Sequence, residues 1–224
     1  MRIQLGLLLI LAVVVGCDSI TGASETVQTM AIKTEPAETE HWTHHHGDRV
    51  DLAIIVPNGW ETYNTDDGIG LNEYFDAGAW GMKLHGFVIH IFVQYLDNFT
   101  LPDSDDVNMA WAILKQVVTN PDYVGSAIVS EPEAFIWDQY QAAYYLLNNR
   151  DGTVTMLLAL SLQDRSDLVV CHISAPEEQS QQIRQRLPEL LGSLTINDHH
   201  VDPSSLNSLP DPLDFPENPG QTSS

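Results

Sequence analysis

The chain has 224 residues, of which 31 are acidic and 9 are basic, and its formal net charge is −22 at pH 7. Such an acidic surface repels phosphate groups, so nucleic acids and anionic lipid headgroups are excluded as favourable partners of the folded part. The apolar share of 43% is enough for a folded core, whereas two cysteines are too few for a disulfide-rich scaffold or a zinc site made only of cysteines.

Residues 1–16 have the pattern of a secretory signal peptide. Arg2 is followed by an uncharged apolar run, 5–15, which is shorter than the roughly 20 residues that a membrane-spanning helix needs. The run ends in Val14-Val15-Gly16-Cys17, and this tetrapeptide resembles the lipobox of bacterial lipoproteins. The resemblance implies that cleavage makes Cys17 the first residue and that lipid is attached there, on the extracytoplasmic face of a bacterial cell membrane. An ordinary signal peptide that is cut nearby is the alternative.

Polar segments flank the central part of the chain. Residues 17–43 are rich in Ser, Thr and Glu, which indicates a flexible tether after the lipid-bearing Cys17. Residues 197–224 contain five prolines and no Lys or Arg, and they hold too few large apolar side chains to offset the entropy of ordering them. We therefore predict a disordered, acidic tail and a single folded domain, 44–196, between the two segments.

The first half of this domain is predicted to hold three strands and a helix. Alternating apolar residues predict the first strand at 50–56, and Pro57-Asn58-Gly59 then turns the chain. Similar patterns predict strands at 69–76 and 86–96. Apolar residues at helical spacing predict a helix at 107–118, which ends before Pro121.

The second half is predicted to hold four strands followed by a helix. The strands are expected within 124–137 and at 140–147, 153–162 and 168–173. Ser174 and Glu177 have the spacing of a capping box, which marks the start of the final helix. An apolar stripe from Ile183 to Leu194 runs along that helix, which Pro188 should kink or split, and Arg186 is expected to face water.

The predicted order of elements is βββ-α-ββββ-α. Clustered strands with separated helices indicate an α+β domain with an antiparallel sheet of about six to seven strands. The strands at 140–147 and 153–162 are apolar on both faces, so they should lie in the centre of the sheet with one helix covering each face. We therefore predict a monomeric α/β/α sandwich.

This order, together with Pro57, Gly59 and Trp60 in the turn after the first strand, resembles the PsbP-like family. The residues that precede that strand, His46-Gly47-Asp48, are similar to the corresponding residues of bacterial members of the family. The family includes the extrinsic PsbP subunit of photosystem II and many bacterial lipoproteins of unknown role. The resemblance covers about residues 44–196 and implies an α/β/α sandwich that binds or stabilises partners without a catalytic set.

Four histidines, His41, His44, His45 and His46, lie within six residues of one another and next to Asp48. Imidazole and carboxylate groups are ligands for zinc, copper and nickel, so a candidate metal site consists of His41, His44, His46 and Asp48. In an extended segment, His44 and His46 point to one side and His45 points to the other. The alternative is that the histidines form a polar segment before the first strand, which binds metals only adventitiously.

Other residues that could be reactive are expected to be structural. Cys171 and His172 are neighbours in a predicted strand, so their side chains point to opposite faces, and Cys171 should be a buried, inert thiol. His90 lies among apolar strand residues and should be a packing histidine. The sequence contains no nucleophile elbow, zinc-protease helix, phosphate loop or dinucleotide fingerprint, so we predict no catalytic residue and no cofactor.

These observations favour a lipid-anchored, extracytoplasmic binding or accessory protein that is not an enzyme. Its expected partners are the membrane, through Cys17, and an envelope protein of unknown identity, with no nucleic acid. Two alternatives stay open. One is an extracytoplasmic hydrolase whose residues assemble only in the fold, and the other is a metal-capture protein that uses the histidine cluster at 41–46.

Overall fold

The computed structural model of the chain describes residues 41–73, 85–102, 107–162 and 167–217. These residues belong to one unit, Thr39–Ser224. The signal peptide expected at 1–16, Cys17, the tether as far as residue 40 and the end of the strand expected at 69–76 lie outside the described residues. Where the chain is described, no helix has the length and apolar character that crossing a membrane requires.

The described residues form two antiparallel sheets and three α-helices. The strands, in chain order, are β1 (Trp42–His46), β2 (Asp51–Ile55), β3 (Glu61–Asn64), β4 (Gly68–Asn72), β5 (Val88–Tyr95), β6 (Ile128–Val129), β7 (Glu133–Trp137), β8 (Tyr140–Asn148), β9 (Thr153–Ser161), β10 (Asp167–Pro176), β11 (Thr195–Ile196) and β12 (His199–His200). The helices are α1 (Met109–Thr119), α2 (Pro121–Val124) and α3 (Ser180–Leu190). The chain therefore has the antiparallel α+β architecture that its sequence predicts.

The larger sheet has the strand order β3-β4-β5-β10-β9-β8-β6, and β7 also pairs with β8. The central position of β8 and β9 is confirmed, and every residue of β8 except Gln141 is buried. Alternate residues of β10 point to opposite cores: Leu168 and Val170 pack with α1, whereas Val169 and Cys171 pack with α3. One helix thus covers each face of this sheet, as expected for the sandwich.

A second sheet, which the sequence did not predict, shares its core with α3. Its strand order is β1-β2-β11-β12. The alternation expected in β2 is confirmed, because Leu52 and Ile54 are buried in that core while Asp51 is exposed. The first predicted strand therefore belongs to this small sheet and not to the large one.

The start of the folded domain differs from the prediction. Residues 42 and 43 were assigned to the tether, yet they belong to β1, which pairs with β2 from Trp42–Ile55 to His46–Asp51. Their polar neighbours indicated a tether, but the edge of β2 offers each of these residues a ladder partner. Strand pairing with β2 therefore extends the fold into the segment that was expected to be flexible.

The tail is packed rather than disordered as far as residue 217, so the predicted boundary at 196 was wrong. Beyond the β11–β12 hairpin, a 3₁₀ helix spans Pro203–Ser208. Four apolar side chains of the tail are at most 5% exposed and join the main core: Val201, Leu206, Leu209 and Leu213. The buried guanidinium of Arg184 on α3 donates to the carbonyl oxygens of Asn207 (3.0 Å) and Leu209 (3.2 Å). A few well-placed contacts thus order a segment whose average composition indicates disorder.

The start and course of α3 also differ from the prediction. β10 runs through Pro176, so Ser174 lies in the strand, where its hydroxyl is 2.7 Å from that of Thr155. No capping box forms, because no side chain caps the short 3₁₀ turn that begins at Glu177. Pro188 lies near the end of α3, which continues to Leu190 without being split.

Arg186 of α3 is partly buried, although it was expected to face water. Its guanidinium carbon lies 4.6 Å from the ring centroid of Phe87 and 5.4 Å from that of Trp60. Its Nη1 atom donates to Oε1 of Glu73 at 2.9 Å. Trp60 closes the predicted turn by donating its backbone N–H to the carbonyl of Pro57 (3.1 Å), so the cation–π contact links this turn to α3.

Candidate functional site

The outer face of the small sheet carries a row of aromatic rings. Alternation along β1 places Trp42, His44 and His46 on this exposed face. The rings of Trp42 and His44 are stacked with centroids 6.3 Å apart. The rings of His44 and His46 are stacked at 6.1 Å with an interplanar angle of 5°. The sequence prediction that His44 and His46 share a side is therefore confirmed.

Asp51 lies directly opposite His46 in the register of β1 and β2. Its Oδ1 atom is 3.1 Å from Nδ1 of His46, in a pair that is open to solvent. An ionised carboxylate accepts hydrogen bonds and donates none, so Nδ1 of His46 carries the hydrogen. In the neutral ring, the lone pair is then on Nε2, the nitrogen that does not face Asp51.

The β11–β12 hairpin fixes the backbone of Asp51. The backbone N–H of Asp51 donates to the side-chain oxygen of Asn197 (2.8 Å), and the backbone N–H of Asn197 donates to the carbonyl of Asp51 (2.9 Å). Asn197 and Asp198 have positive φ angles of 49° and 63°, which the central residues of a tight two-residue hairpin require. The position of the carboxylate beside His46 thus depends on a turn near the end of the chain.

These rings and carboxylates border a groove with a volume of about 430 Å³. We call it the histidine groove, and its lining residues are Trp42, His44, His46, Asp51, Leu52, Ala53, Thr195 and Asp198. None of these residues is Lys or Arg, while two of them are aspartates. The histidine groove is therefore suited to a ligand that imidazoles coordinate or that carries positive charge.

The predicted metal ligands are only partly brought together. His44 and His46 line the groove, whereas His41 precedes β1 and Asp48 lies in the turn before β2. Within the described ranges, no three His, Cys, Asp or Glu side chains come close enough to hold one metal ion. Sequence reasoning missed Asp51, although pairing of its strand with the histidine segment would have placed it beside them.

A second cavity, of about 310 Å³, is lined by residues of both sheets. Arg49 and the buried Asp167 both line it, and Nη1 of Arg49 is 3.2 Å from Oδ1 of Asp167. Nη2 of Arg49 is 3.7 Å from Oδ2 of Asp97. His199 also lines the cavity, and its Nε2 is 2.9 Å from Oδ2 of Asp138. Because the charge of Arg49 is compensated by two carboxylates, these contacts serve to join the elements around the cavity.

His90 and His172 are brought together by the fold. They are direct partners in the register of β5 and β10. Nε2 of His90 is 3.1 Å from the hydroxyl oxygen of Thr65, whose hydrogen is donated to Asp67 at 2.7 Å. The Thr65 hydroxyl therefore accepts a hydrogen bond from His90 and does not donate its proton to that ring. A catalytic base would instead accept the proton of a nucleophilic hydroxyl, so His90 has the contacts of a structural histidine.

Cys171 is fully buried, as the sequence predicts, on the face of β10 opposite His172. Burial raises the pKa of its thiol to about 12. Such a thiol carries almost no thiolate at neutral pH, and the thiolate is the reactive form. The structure therefore gives Cys171 the character of a core residue.

We expect His172 to make the fold less stable in mild acid. Burial lowers its pKa, and the charge of His90 lowers it further. A histidine with a lower pKa in the folded state stabilises the fold fully above its unfolded pKa, near 6.5, and this contribution is lost as the pH falls below that value. One such histidine changes the free energy of unfolding by at most about 1.4 kcal/mol per pH unit. Urea unfolding at pH 7.5 and 5.5 should show a weaker pH dependence for His172→Gln, and an unchanged dependence would contradict the assignment.

Comparisons with known proteins identify no family for this chain, because no family model and no curated protein matches its sequence. Among solved structures, it is similar to cyanobacterial PsbP from Synechocystis sp. PCC 6803, with a TM-score of 0.44 and 10% identity over 72% of this chain and 96% of that one. It is also similar to the Ran-binding protein Mog1p of Saccharomyces cerevisiae, with a TM-score of 0.43 and 16% identity over 75% of this chain and 98% of that one.

Proposed function

We propose that this chain is a lipid-anchored, extracytoplasmic binding protein of the PsbP-like type that holds a partner in the histidine groove. Cys17 is the proposed site of lipid attachment, and an envelope protein is the proposed partner. The observation that carries the binding role is the exposed row of Trp42, His44 and His46 on a sheet face.

An exposed row of rings on a paired strand is a favourable binding surface. Trp42 is 37% exposed although it is one of the largest apolar side chains. Aromatic residues dominate the affinity of many protein interfaces, because they bury a large area at a small cost in side-chain entropy. Strand pairing with β2 already orders the backbone of β1, so little further conformational freedom is lost on binding.

Catalysis is less well supported than binding by the residues that the structure describes. The hydroxyl of Thr65 donates to Asp67 and not to His90, and Cys171 is a buried thiol with a raised pKa. Neither group is therefore prepared as a nucleophile. These contacts favour a binding role over the hydrolase alternative.

The support for lipid attachment is the sequence Val14-Val15-Gly16-Cys17 at the end of the apolar run. A lipid anchor would hold this chain at a membrane whose anionic headgroups its net charge of −22 repels. With labelled palmitate, the wild-type protein should take up label and stay in the membrane fraction, whereas Cys17→Ser should lose both properties. Absence of label from the wild type, with identical fractionation of both proteins, would contradict the anchor.

A photo-crosslinking amino acid at position 42 of the full-length protein, in native membranes, tests the groove as the binding site. The matched control is the same substitution at Ile136, which is 58% exposed on β7 of the large sheet. We expect an adduct with an envelope protein from position 42 and none from position 136. Equal yields from both positions, or no adduct from position 42, would refute the role of the groove.

A further inference from the structure

We infer that the histidine groove binds a divalent transition-metal cation through the imidazoles of His44 and His46, with Asp51 orienting His46. This inference deepens the proposed function and rests on it, because it names a ligand class for the same groove. It also replaces the ligand set that the sequence suggested, since His41 and Asp48 take no part in it.

The two imidazoles project from the same face of one strand, within reach of a shared ion. They lie two residues apart on one face of β1, with parallel rings and centroids 6.1 Å apart. Metal–nitrogen bonds are about 2.1 Å long, so two ligating nitrogens must lie about 3 Å apart. The His44 side chain is exposed, so rotation about its torsions can bring its ring toward His46, while His46 keeps its contact with Asp51 and the paired backbone stays in place.

Asp51 prepares His46 as a metal ligand. Histidines that bind metals usually donate their second ring N–H to a carboxylate or carbonyl, which fixes the tautomer and makes the ligating nitrogen more basic. The Nδ1–Oδ1 contact of 3.1 Å between His46 and Asp51 has this form and leaves Nε2 for the metal. Asn197 holds the backbone of Asp51 through two hydrogen bonds, so the carboxylate is placed before any ion arrives.

The electrostatics of the groove favour a cation. Asp51 and Asp198 both line it, no Lys or Arg does, and the chain carries a net charge of −22. This charge raises the local concentration of cations. Imidazole ligands select Ni²⁺, Cu²⁺ and Zn²⁺ over Ca²⁺ and Mg²⁺, which prefer oxygen ligands. Two protein ligands leave the remaining coordination positions to water or to a group of the bound partner.

Calorimetric titration of Ni²⁺ into the purified full-length protein at pH 7.5 tests the inference. We expect one strong binding event. His44→Gln and His46→Gln should each weaken binding by about 100-fold or more, because one imidazole alone lacks the chelate effect. Asp51→Asn should weaken it by about tenfold through the loss of ligand orientation.

His45→Gln is the matched control, because His45 belongs to the same histidine tract but points to the other face of β1. We expect it to leave the affinity for Ni²⁺ unchanged, because its imidazole does not face the groove. Equal losses in His45→Gln and His46→Gln would show binding by an unstructured tract and overturn the inference. So would unchanged affinity in His44→Gln and His46→Gln, or no binding of Ni²⁺ by the wild type. Crosslinking at position 42 reports on the partner separately, so either idea can fail alone.

Discussion

A chain that lacks residues 201–224 is expected not to fold. The deletion removes four buried apolar side chains from the main core: Val201, Leu206, Leu209 and Leu213. Burial of each such side chain contributes about 1.5–3 kcal/mol, so the four together approach the 5–15 kcal/mol of a whole domain. The deletion also removes the carbonyl of Asp202, which accepts from the indole N–H of the buried Trp137 at 3.0 Å. Circular dichroism would measure the loss of secondary structure, and urea unfolding would measure the loss of a cooperative folding transition.

Two substitutions at neighbouring positions test whether the packing of the tail, rather than the shortening of the chain, causes the loss of stability. Leu206→Ala should lower the free energy of unfolding by about 2–5 kcal/mol, because it leaves a cavity in the core. Asn207→Ala should change it by less than about 0.5 kcal/mol, since that side chain is exposed and the carbonyl that Arg184 contacts is retained. A truncated chain that unfolds cooperatively with wild-type stability would show that the tail is dispensable.

Gly68→Ala should destabilise the protein by about 3 kcal/mol or more, because β4 has no space for a methyl group at this position. A Cβ atom at Gly68 would lie 2.0 Å from the carbonyl oxygen of Ile91 and 2.7 Å from Cα of Phe92. Both atoms belong to the backbone of β5, which is paired with β10 on its other side. The strand cannot move aside without breaking a ladder in the middle of the sheet.

Gly70→Ala is the control for this substitution, two residues further along the same strand. Its Cβ would meet the ring of Tyr63 at 2.1 Å, but that side chain is 41% exposed and its ring can rotate toward solvent. We therefore expect a smaller loss than for Gly68→Ala in urea unfolding experiments. If both variants unfold at the same urea concentration, contact with a backbone is not the deciding factor at Gly68.

The sequence determined which face each strand residue takes. Alternation in β2 predicted its buried side chains, and the same rule predicted that His44 and His46 lie together with His45 opposite. Apolar residues on both faces also predicted the central position of β8 and β9. The predictions of side-chain direction hold because that direction depends only on the local backbone. The central position of β8 and β9 follows from burial, since a strand that is apolar on both faces must be covered on both faces.

Only the tertiary structure decided which distant segments meet. Asp51 is held by Asn197, 146 residues later, and without that hairpin the alternation of β2 could not place a carboxylate securely beside His46. The tail was misjudged for the same reason: its composition indicates disorder, while its order depends on core sites and on the carbonyls that Arg184 contacts. Local patterns determine the direction of each side chain along a strand. Whether a segment packs onto the core depends on the free energy of its contacts with remote residues, and the sequence of the segment alone does not contain those contacts.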